Sequence, residues 1–258
     1  MYKPISKNLK SLQHIHFPGI TSFQHGLNIQ DLLMDQHLAQ NALMSKIRRN
    51  PIKIDQSELK PIPPTVLTFQ FENVYVSGLK SKNQISERDI QNFKSLNSKF
   101  FQLNRGGQLT WHGKGQLVTY LILNLKDFTK LSPKCYVNNI LLKPLQKVLE
   151  SKFELSSQFD DLNPGIFINQ NKIASIGVRI RHGITEYGTS LNINPDLKYL
   201  NTFELCGLKN GKQTSIDENL NNGKADSNKD LNIETIADSY VEQIAKVLNL
   251  PDIEKVIL

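Results

Sequence analysis

The chain contains little cysteine, a single tryptophan and no long apolar run. Its two cysteines, Cys135 and Cys206, are too few for a disulfide framework or a cysteine-based zinc site, so we expect a reducing compartment. No apolar stretch approaches the roughly 20 residues that a membrane-spanning helix needs, and the mean hydropathy is -0.36. We therefore expect a soluble protein without a membrane span, in which at least one cysteine is a working thiol.

The first acidic residue of the chain is Asp31, so the residues before it carry no negative side chain. The net charge of the whole chain is +7. A basic chain suits nucleic acid, an anionic membrane surface or an acidic protein partner. The lysines and arginines are spread along the chain in short runs only, so nucleic-acid binding is not predicted. Lys3, Lys7 and Lys10 resemble a short mitochondrial presequence, although arginine is lacking, so we interpret residues 1–13 as a short targeting or N-terminal segment.

Hydrophobic periodicity divides the remainder, residues 14–258, into the helices and strands of one domain. The predicted helices are residues 28–48, 86–94, 133–153 and 233–248, and the predicted strands are residues 66–71, 116–125, 165–168, 173–180 and 184–193. The last three strands are joined by short polar links, which predicts a meander. Residues 217–230 are polar and nearly without large apolar groups, so they are predicted to form a mobile loop.

The segment RGGQLTWHGKGQ, which begins at Arg105, concentrates glycines around the only tryptophan. Its spacing fits neither the dinucleotide fingerprint nor a P-loop, and a predicted strand rather than a helix follows it. Glycines let a backbone approach a ligand closely, and Arg105 and His112 offer hydrogen-bond donors to an oxyanion or an amide. A bulged hairpin between two strands is the alternative interpretation.

Four ordered motifs resemble those of the lipoyl(octanoyl) transferases, the lipoate-protein ligase B type. They are RGGQLTWHGKGQ, NKIASIG from Asn171, RIRHGITEYGTSLNIN from Arg179 and FELCGLKNGKQTSI from Phe203. The likeness covers residues 14–250. It implies a single α/β catalytic domain of the biotin/lipoate-ligase-like fold, with a mixed, largely antiparallel sheet flanked by helices.

The resemblance implies an acyl transfer in two steps. An octanoyl group passes from acyl carrier protein to an enzyme cysteine as a thioester, and then to a lysine amine of a lipoyl domain. Cys206 matches the nucleophile of the family, and Lys172 matches its partner lysine. The residues that match the substrate pocket are Arg105, Gly106, Gly107, Gln108, Leu109, Thr110, Trp111, His112, Ser175, Ile176, Gly177, Gly188, Thr189 and Ser190.

These residue types suit the implied chemistry. A free thiol is only a few per cent thiolate at neutral pH, and a nearby ammonium favours the charged form. The same lysine can then accept a proton from the attacking amine. The amide product is more stable than a thioester, so no ATP and no other cofactor is expected. His14, His16 and His182 lack a companion cluster of carboxylates or thiols, so no metal site is predicted.

The same residues have plainer interpretations, and the sequence departs from the family pattern in places. Cys206 alone would be read as a small buried hydrophobe, Lys172 as a solvated hairpin lysine, and His112 as a structural histidine. Tyr187 stands where the family usually has histidine, and residues 189–190 are Thr-Ser instead of Leu-Ala. The more polar pair bears on the shape and length preference of the acyl pocket.

The expected partners also follow from the resemblance. The donor is octanoyl-acyl carrier protein, and the acceptors are the lipoyl domains of 2-oxoacid dehydrogenases and the glycine cleavage H protein. No nucleic acid or membrane is expected as a partner, and the protein is expected to be a monomer. The mitochondrial matrix is the expected compartment, with a bacterial cytoplasm as the alternative. Two rival functions stay open: an ATP-dependent lipoate-protein ligase on the same fold, and a non-catalytic module that binds an acyl group or a carrier domain.

Overall fold

The structure is a computed structural model and describes residues 2–49, 60–159, 164–202, 212–222 and 230–258. The strands are β1 (Ser11–Thr21), β2 (Thr65–Phe71), β3 (Val74–Ser77), β4 (Lys99–Gln102), β5 (Thr110–His112), β6 (Gln116–Ile122), β7 (Gln158–Phe159), β8 (Gly165–Ile168), β9 (Asn171–Arg181), β10 (Ile184–Asn192) and β11 (Asp252–Ile257). The helices are α1 (Phe23–Arg49), α2 (Glu87–Ser95), α3 (Pro133–Cys135), α4 (Lys143–Phe153), α5 (Leu197–Asn201), α6 (Ile216–Asn222) and α7 (Ile233–Leu248).

The described strands form a large sheet and a small one. The large sheet has the order β11-β1-β2-β6-β10-β9-β8-β7, in which β1 runs parallel to β2 and β11. The other pairs in this sheet are antiparallel. The small sheet has the order β4-β3-β5. The expectation of a mixed, largely antiparallel sheet is therefore confirmed, as is the predicted meander β8-β9-β10.

Strand β6 is the centre of the large sheet and is buried on both faces. Its side chains alternate, so that Leu117 and Leu121 belong to one core cluster, whereas Val118, Tyr120 and Ile122 belong to another. A strand that is covered on both faces needs apolar residues at successive positions, which accounts for the nearly continuous apolar run in the sequence.

Helices cover both faces of this sheet, as expected. Helices α4 and α7 pack against each other over the cluster that contains Leu117 and Leu121. Helix α1 packs on the opposite face and begins earlier than predicted. Its first turn is capped, because the side chains of Glu72 and Ser22 accept hydrogen bonds from the N–H groups of Phe23 and His25. None of the described helices is long and apolar enough to cross a membrane.

The helix predicted over residues 133–153 begins and ends at the expected residues but is not α-helical throughout. The Ser132 side chain accepts a hydrogen bond from the Cys135 N–H and caps α3, which starts with Pro133. A π-helical stretch, Tyr136–Leu142, then leads into α4. Such stretches are rare in proteins as a whole, and those that occur are often found at functional sites. This one brings Val137 to the cavity described below.

Residues 2–13, which we interpreted as a short targeting or N-terminal segment, are packed into the fold. The Tyr2 N–H donates to the Val247 carbonyl over 3.1 Å, and the Thr129 N–H donates to the Lys3 carbonyl over 2.9 Å. Leu9 and Leu12 are buried in the main core cluster. Leu12 is also the second residue of β1, which pairs with β2 and β11.

The prediction of a mobile loop over residues 217–230 is wrong for its first part. Helix α6 (Ile216–Asn222) occupies that part, and Ile216 and Leu220 are both buried in the core. These two side chains are one helical turn apart and therefore face the same way, a spacing that the polar composition of the segment obscures. Residues 223–229 lie outside the described part of the chain.

A buried histidine on α1 makes the stability of the fold sensitive to acid. His37 is 2% exposed, its Nε2 has no hydrogen-bond partner among the described residues, and burial lowers its pKa to about 4. Since the folded pKa lies below the ordinary value of 6.5, the unfolded chain binds the extra proton first. The stabilisation is complete above that ordinary value and is lost as the pH falls towards 4.

We expect His37→Leu to weaken this acid sensitivity. The loss in free energy of unfolding between pH 7 and pH 5 should be smaller by roughly 1–2 kcal/mol than in the parent. Urea unfolding at the two pH values measures it. His25, which is exposed on the same helix, supplies the matched control His25→Leu. A loss in His37→Leu as large as that of the parent would contradict the assignment.

Candidate active site

A cavity of about 400 Å³ opens between the glycine-rich segment and strands β6, β9 and β10. This volume lies in the range of small-molecule sites, about 300–1,000 Å³. Much of the wall is apolar or aromatic and therefore suits an apolar ligand. These wall residues are Phe23, Leu103, Val118, Tyr120, Val137, Ile176, Val178 and Tyr187.

The structure brings most of the predicted site residues to this cavity. Those that line it are Arg105, Gly106, Gly107, Gln108, Thr110, His112, Lys172, Ser175, Ile176, Gly177, Gly188, Thr189 and Ser190. Residues from three separate sequence motifs therefore meet around one space.

Leu109 and Trp111 do not line this cavity, although both were predicted pocket residues. Alternate side chains of a strand point to opposite faces, so Thr110 and His112 face the cavity while Trp111 faces away. Trp111 stacks on Tyr199 with 5.3 Å between ring centroids. Leu109 belongs to the same small buried cluster as Trp111. Both residues thus stabilise the strand that carries the site.

A β-bulge directs Lys172 into the cavity. Strand β8 pairs with β9 through Ile166 opposite Ala174 and Phe167 opposite Lys172, which leaves Ile173 as an extra residue on β9. In a regular strand, Lys172 and Ser175 would point to opposite faces. With the extra residue both line the cavity, while Ile173 is buried in the core.

The side chain of Lys172 is buried, and the described residues offer it no anionic partner. The residue is 3% exposed, and its Nζ lies 5.4 Å from the centre of the Phe167 ring. Within the described part of the chain, no carboxylate forms a salt bridge with this Nζ. A buried charge is costly unless it is paired, so this cation is suited to an anion that enters or forms at the cavity.

Cys206 lies outside the described residues, but the chain on either side of it is anchored next to Lys172. The Asn201 side chain accepts a hydrogen bond from the Gln213 N–H and donates one to the Gln213 carbonyl, at 2.9 and 3.2 Å. The Lys172 N–H donates to the Lys212 carbonyl over 2.8 Å, and the Thr214 N–H donates to the Lys172 carbonyl over 2.9 Å. The described residues on both sides of the segment that contains Cys206 are therefore joined by hydrogen bonds to each other and to the Lys172 backbone.

Arg105 holds the glycine-rich segment in shape. Its guanidinium donates to the carbonyls of Gly106 and Val76, at 2.9 and 3.1 Å. The Gly106 N–H in turn donates to the Val178 carbonyl on β9 over 3.3 Å. We expected Arg105 to offer its donors to a substrate. At least two of its N–H groups are instead directed to the backbone carbonyls of Gly106 and Val76, and the hydrogen bond from Gly106 joins the segment to β9.

The glycines of the segment have different structural roles. Gly106 and Gly107 line the cavity. Gly115 has a positive φ of 84° and lies so close to Asn194 that an added Cβ would be 2.5 Å from the Asn194 carbonyl oxygen. Its own carbonyl accepts hydrogen bonds from Ile193 and Asn194. Gly115 therefore joins the turn between β5 and β6 to the end of β10.

His112 is buried in the wall, where its ring stacks on Phe23 with 6.0 Å between centroids. Its Nδ1 is 2.7 Å from the Gln116 Oε1. Burial lowers the pKa of His112 to about 4, so the ring is neutral at physiological pH. A neutral imidazole can act as a hydrogen-bond acceptor at one nitrogen and a donor at the other.

Tyr187 and Thr189 show how the departures from the family pattern are accommodated. Tyr187 adopts a positive φ of 61°, and its N–H donates to the Gln30 Oε1 over 2.6 Å. Its ring meets Tyr120 edge to face at 5.6 Å. The Thr189 hydroxyl donates to the Tyr240 hydroxyl over 3.4 Å, so this polar group is satisfied by the protein itself.

Sequence reasoning missed the apolar wall and the polar residues behind it. Val118 and Tyr120 could have been found, because strict alternation along β6 puts them on one face. Gln116 and Asn192 are paired across β6 and β10, and that register is not readable from either strand alone.

Comparison with known proteins gives the family. Residues 40–256 match the lipoyl protein ligase A/B catalytic domain. The chain belongs to this family. The mitochondrial octanoyltransferases of Kluyveromyces lactis and Saccharomyces cerevisiae are 34% and 31% identical to it, over 98% and 99% of this chain and 85% and 87% of theirs. This places the chain among the acyltransferases, as the motifs predicted.

More distant relatives support the same grouping and the fold. A Danio rerio protein, octanoyl-[acyl-carrier-protein]:protein N-octanoyltransferase LIPT2, mitochondrial, is 31% identical over 77% of this chain and 85% of its own length. A lipoate-protein ligase A solved with bound ATP aligns with a TM-score of 0.64 over 97% of this chain and 89% of that one, at 13% identity. A bipartite lipoate protein ligase from Thermoplasma acidophilum, studied with its E2 lipoyl domain, aligns with a TM-score of 0.61 over 97% and 87%. The predicted lipoate-ligase-like fold is confirmed.

We expect Gly165→Ala to disturb the site through Lys172. An added Cβ at Gly165 would lie 2.3 Å from the Lys172 Cε and 2.6 Å from the Ala174 carbonyl oxygen, so backbone as well as side chain must move. The free energy of unfolding should fall by about 1–3 kcal/mol. In Gly106→Ala, the matched control, the nearest heavy atom would be 3.5 Å away and little loss is expected. Equal stability of the two variants in chemical denaturation would contradict the close packing of Lys172 on Gly165.

Proposed function

We propose that this enzyme transfers an octanoyl group from octanoyl-acyl carrier protein to a lysine of a lipoyl domain, through a thioester on Cys206. The observation that carries the proposal is the buried ammonium of Lys172, which has no carboxylate partner among the described residues, at an apolar cavity of about 400 Å³. A thiolate is an anion that such a cation stabilises. The connection that contains Cys206 is anchored to the backbone of Lys172 itself, through Lys212 and Thr214.

The first half-reaction charges the enzyme. The Cys206 thiolate attacks the carbonyl carbon of the donor thioester, and the carbon–sulfur bond to the carrier breaks. The carrier thiolate leaves and takes a proton from the Lys172 ammonium. The products are a Cys206 octanoyl thioester, a neutral Lys172 amine and the free carrier thiol.

The second half-reaction restores the enzyme. The lysine amine of the lipoyl domain attacks the thioester carbonyl and gives a proton to the Lys172 amine. The Cys206 thiolate is expelled beside the new ammonium, and the octanoyl amide is released. Both half-reactions balance without ATP, because each bond that is broken is a thioester and the final product is the more stable amide.

The partners and the compartment are part of the same proposal. The net charge of +7 suits acidic protein partners, and complementary charge speeds the encounter of two proteins. The acceptors would be lipoyl domains, and the protein would act as a monomer. The named relatives from fungi and fish are mitochondrial, which supports a place in the mitochondrial matrix.

The rival functions differ in what they require of Cys206. An ATP-dependent lipoate-protein ligase would activate a free acid as an adenylate and would need no cysteine nucleophile. The fold alone does not separate the two, since the solved neighbours at 13% and 14% identity are ligases. A non-catalytic binding module would hold an acyl group or a carrier domain without turnover.

The direct test is the intact mass of the protein after mixing with octanoyl-acyl carrier protein. We expect an octanoyl adduct in the parent that hydroxylamine removes, and none in Cys206→Ser. Cys135→Ser is the matched control and should keep the adduct. An adduct-free parent that is folded would overturn the thioester route, and ATP-dependent transfer of free lipoate would then establish the ligase.

Substitutions of Lys172 separate its two tasks. Lys172→Met removes the cation and should slow adduct formation by about two orders of magnitude, the lower range for a lost acid–base group. Lys172→Arg keeps a positive charge but cannot shed its proton. It should form more adduct than Lys172→Met and pass it poorly to the lipoyl domain. Parent-like transfer in Lys172→Arg would contradict a proton-accepting lysine.

A further inference from the structure

A line of buried polar groups runs from the backbone of Thr214 to the ring of His112. The Asn192 Nδ2 is 2.9 Å from the Thr214 carbonyl oxygen. The Gln116 Nε2 is 2.8 Å from the Asn192 Oδ1. The Gln116 Oε1 is 2.7 Å from the His112 Nδ1. All four residues are at least nine-tenths buried, and Gln116 and Asn192 face each other across β6 and β10.

The direction of every hydrogen bond in this line is set by the carbonyl at its end. A carbonyl oxygen accepts only, so the Asn192 amide must turn its nitrogen towards Thr214. The Asn192 oxygen then accepts from the nitrogen of Gln116, and the Gln116 oxygen is left to face His112. An amide oxygen cannot donate, so the His112 Nδ1 must carry the hydrogen.

The other ring nitrogen of His112 is consequently an acceptor. The ring is neutral at physiological pH because burial lowers its pKa to about 4. Neutral imidazole with hydrogen on Nδ1 has a lone pair on Nε2. This Nε2 has no hydrogen-bond partner in the part of the chain that the structure describes, and His112 lines the cavity.

We propose that the line from Thr214 through Asn192 and Gln116 fixes His112 as the Nδ1–H tautomer, so that its Nε2 accepts a hydrogen bond from the substrate lysine amine. The choice of the amine as donor rests on the proposed function. Gln116 and Asn192 are positioning residues, because they act only through the ring of His112. A lone pair aimed at the amine orients the nitrogen that attacks the thioester.

His112 and Lys172 therefore have different roles at the amine: His112 orients it, and Lys172 accepts its proton. A ring that stays neutral down to acidic pH is a weak base, so His112 orients an N–H without removing the proton. Lys172 is left to accept that proton. The same backbone segment serves both residues, because Thr214 bonds to Lys172 through its N–H and to Asn192 through its carbonyl.

The tautomer is read directly by ¹⁵N NMR of the protein labelled in its histidine rings, with the His112 signals assigned by their loss in His112→Gln. We expect hydrogen on Nδ1 alone in the parent. Gln116→Met removes the hydrogen bond to the His112 ring. Asn192→Leu removes the hydrogen bond between Asn192 and Gln116, so that the Gln116 amide is free to flip. Both should give a mixture of tautomers, and an Nε2–H or protonated ring in the parent would overturn the proposal.

Gln70→Met is the matched control for these variants. The Gln70 Oε1 accepts a hydrogen bond from the Gly115 N–H over 2.9 Å in the same glycine-rich turn. The hydrogen bonds of the line, from Thr214 through Asn192 and Gln116 to His112, do not involve Gln70. It should keep the parental tautomer. Thermal unfolding of all variants shows whether each is folded. If Gln116→Met is not folded, the tautomer of His112 in Asn192→Leu decides between the outcomes. A mixture of tautomers in Gln70→Met as well would mean that a general loss of packing around the turn causes the change. That result would contradict the proposal that the hydrogen-bonded line fixes the tautomer of His112.

Single-turnover kinetics test the substrate half of the proposal. In Gln116→Met, transfer from the octanoyl-enzyme to a lipoyl domain should slow about tenfold more than formation of the octanoyl-enzyme, as the loss of one hydrogen bond predicts. Equal slowing of both half-reactions would overturn the amine as the partner of Nε2. A parent that forms no octanoyl-enzyme would overturn the proposed function and this use of His112, while the NMR result would still decide the tautomer.

Discussion

A lysine ammonium buried beside an apolar cavity is the constraint around which this fold is arranged. Removing an unpaired charge from water costs several kcal/mol, so the surrounding structure has to hold Lys172 in place. A bulge turns its side chain inwards, Gly165 leaves room for its stem, and Phe167 offers a ring face to the charge. The cost is offset when an anion shares the site, and the thiolate that we propose for Cys206 would be such an anion.

The glycine-rich motif and the lysine motif are distant in sequence but form one rigid unit in space. The Arg105 guanidinium donates a hydrogen bond to a backbone carbonyl of the glycine-rich segment, that of Gly106. The Gly106 N–H donates a hydrogen bond to β9, the strand that carries Lys172. Gln116 and Asn192 then connect the far end of the motif to Thr214, which bonds to the Lys172 backbone. Apolar and polar residues thus occupy different parts of the site: aromatic and aliphatic side chains form much of the cavity wall, and the hydrogen-bonded line connects His112 to the segment that bonds to Lys172.

The elements with strong periodicity were predictable, and the features that depend on register were not. Helix α7 has the predicted bounds, and the meander β8-β9-β10 was recognised from its apolar runs and short links. Strand β11 was missed because its side chains are exposed, so no buried alternation marks it. Two different motifs carried His112 and Lys172, and both side chains line the same cavity. The outward direction of Trp111, the bulge at Ile173 and the pairing of Gln116 with Asn192 arise from strand pairing, which a single sequence does not encode locally.

If the Lys172 ammonium stabilises a thiolate at Cys206, as we propose, the pH dependence of thiol alkylation will show it. Iodoacetamide labelling of Cys206 is followed by peptide mass spectrometry across pH in the parent and in Lys172→Met. Cys135, whose pKa is lowered mainly by its hydrogen bond with Ser132, is the internal reference in both proteins. We expect a Cys206 pKa below the ordinary thiol range in the parent and a clear rise in Lys172→Met, with the pKa of Cys135 unchanged. An identical Cys206 profile in the two proteins would contradict this proposal.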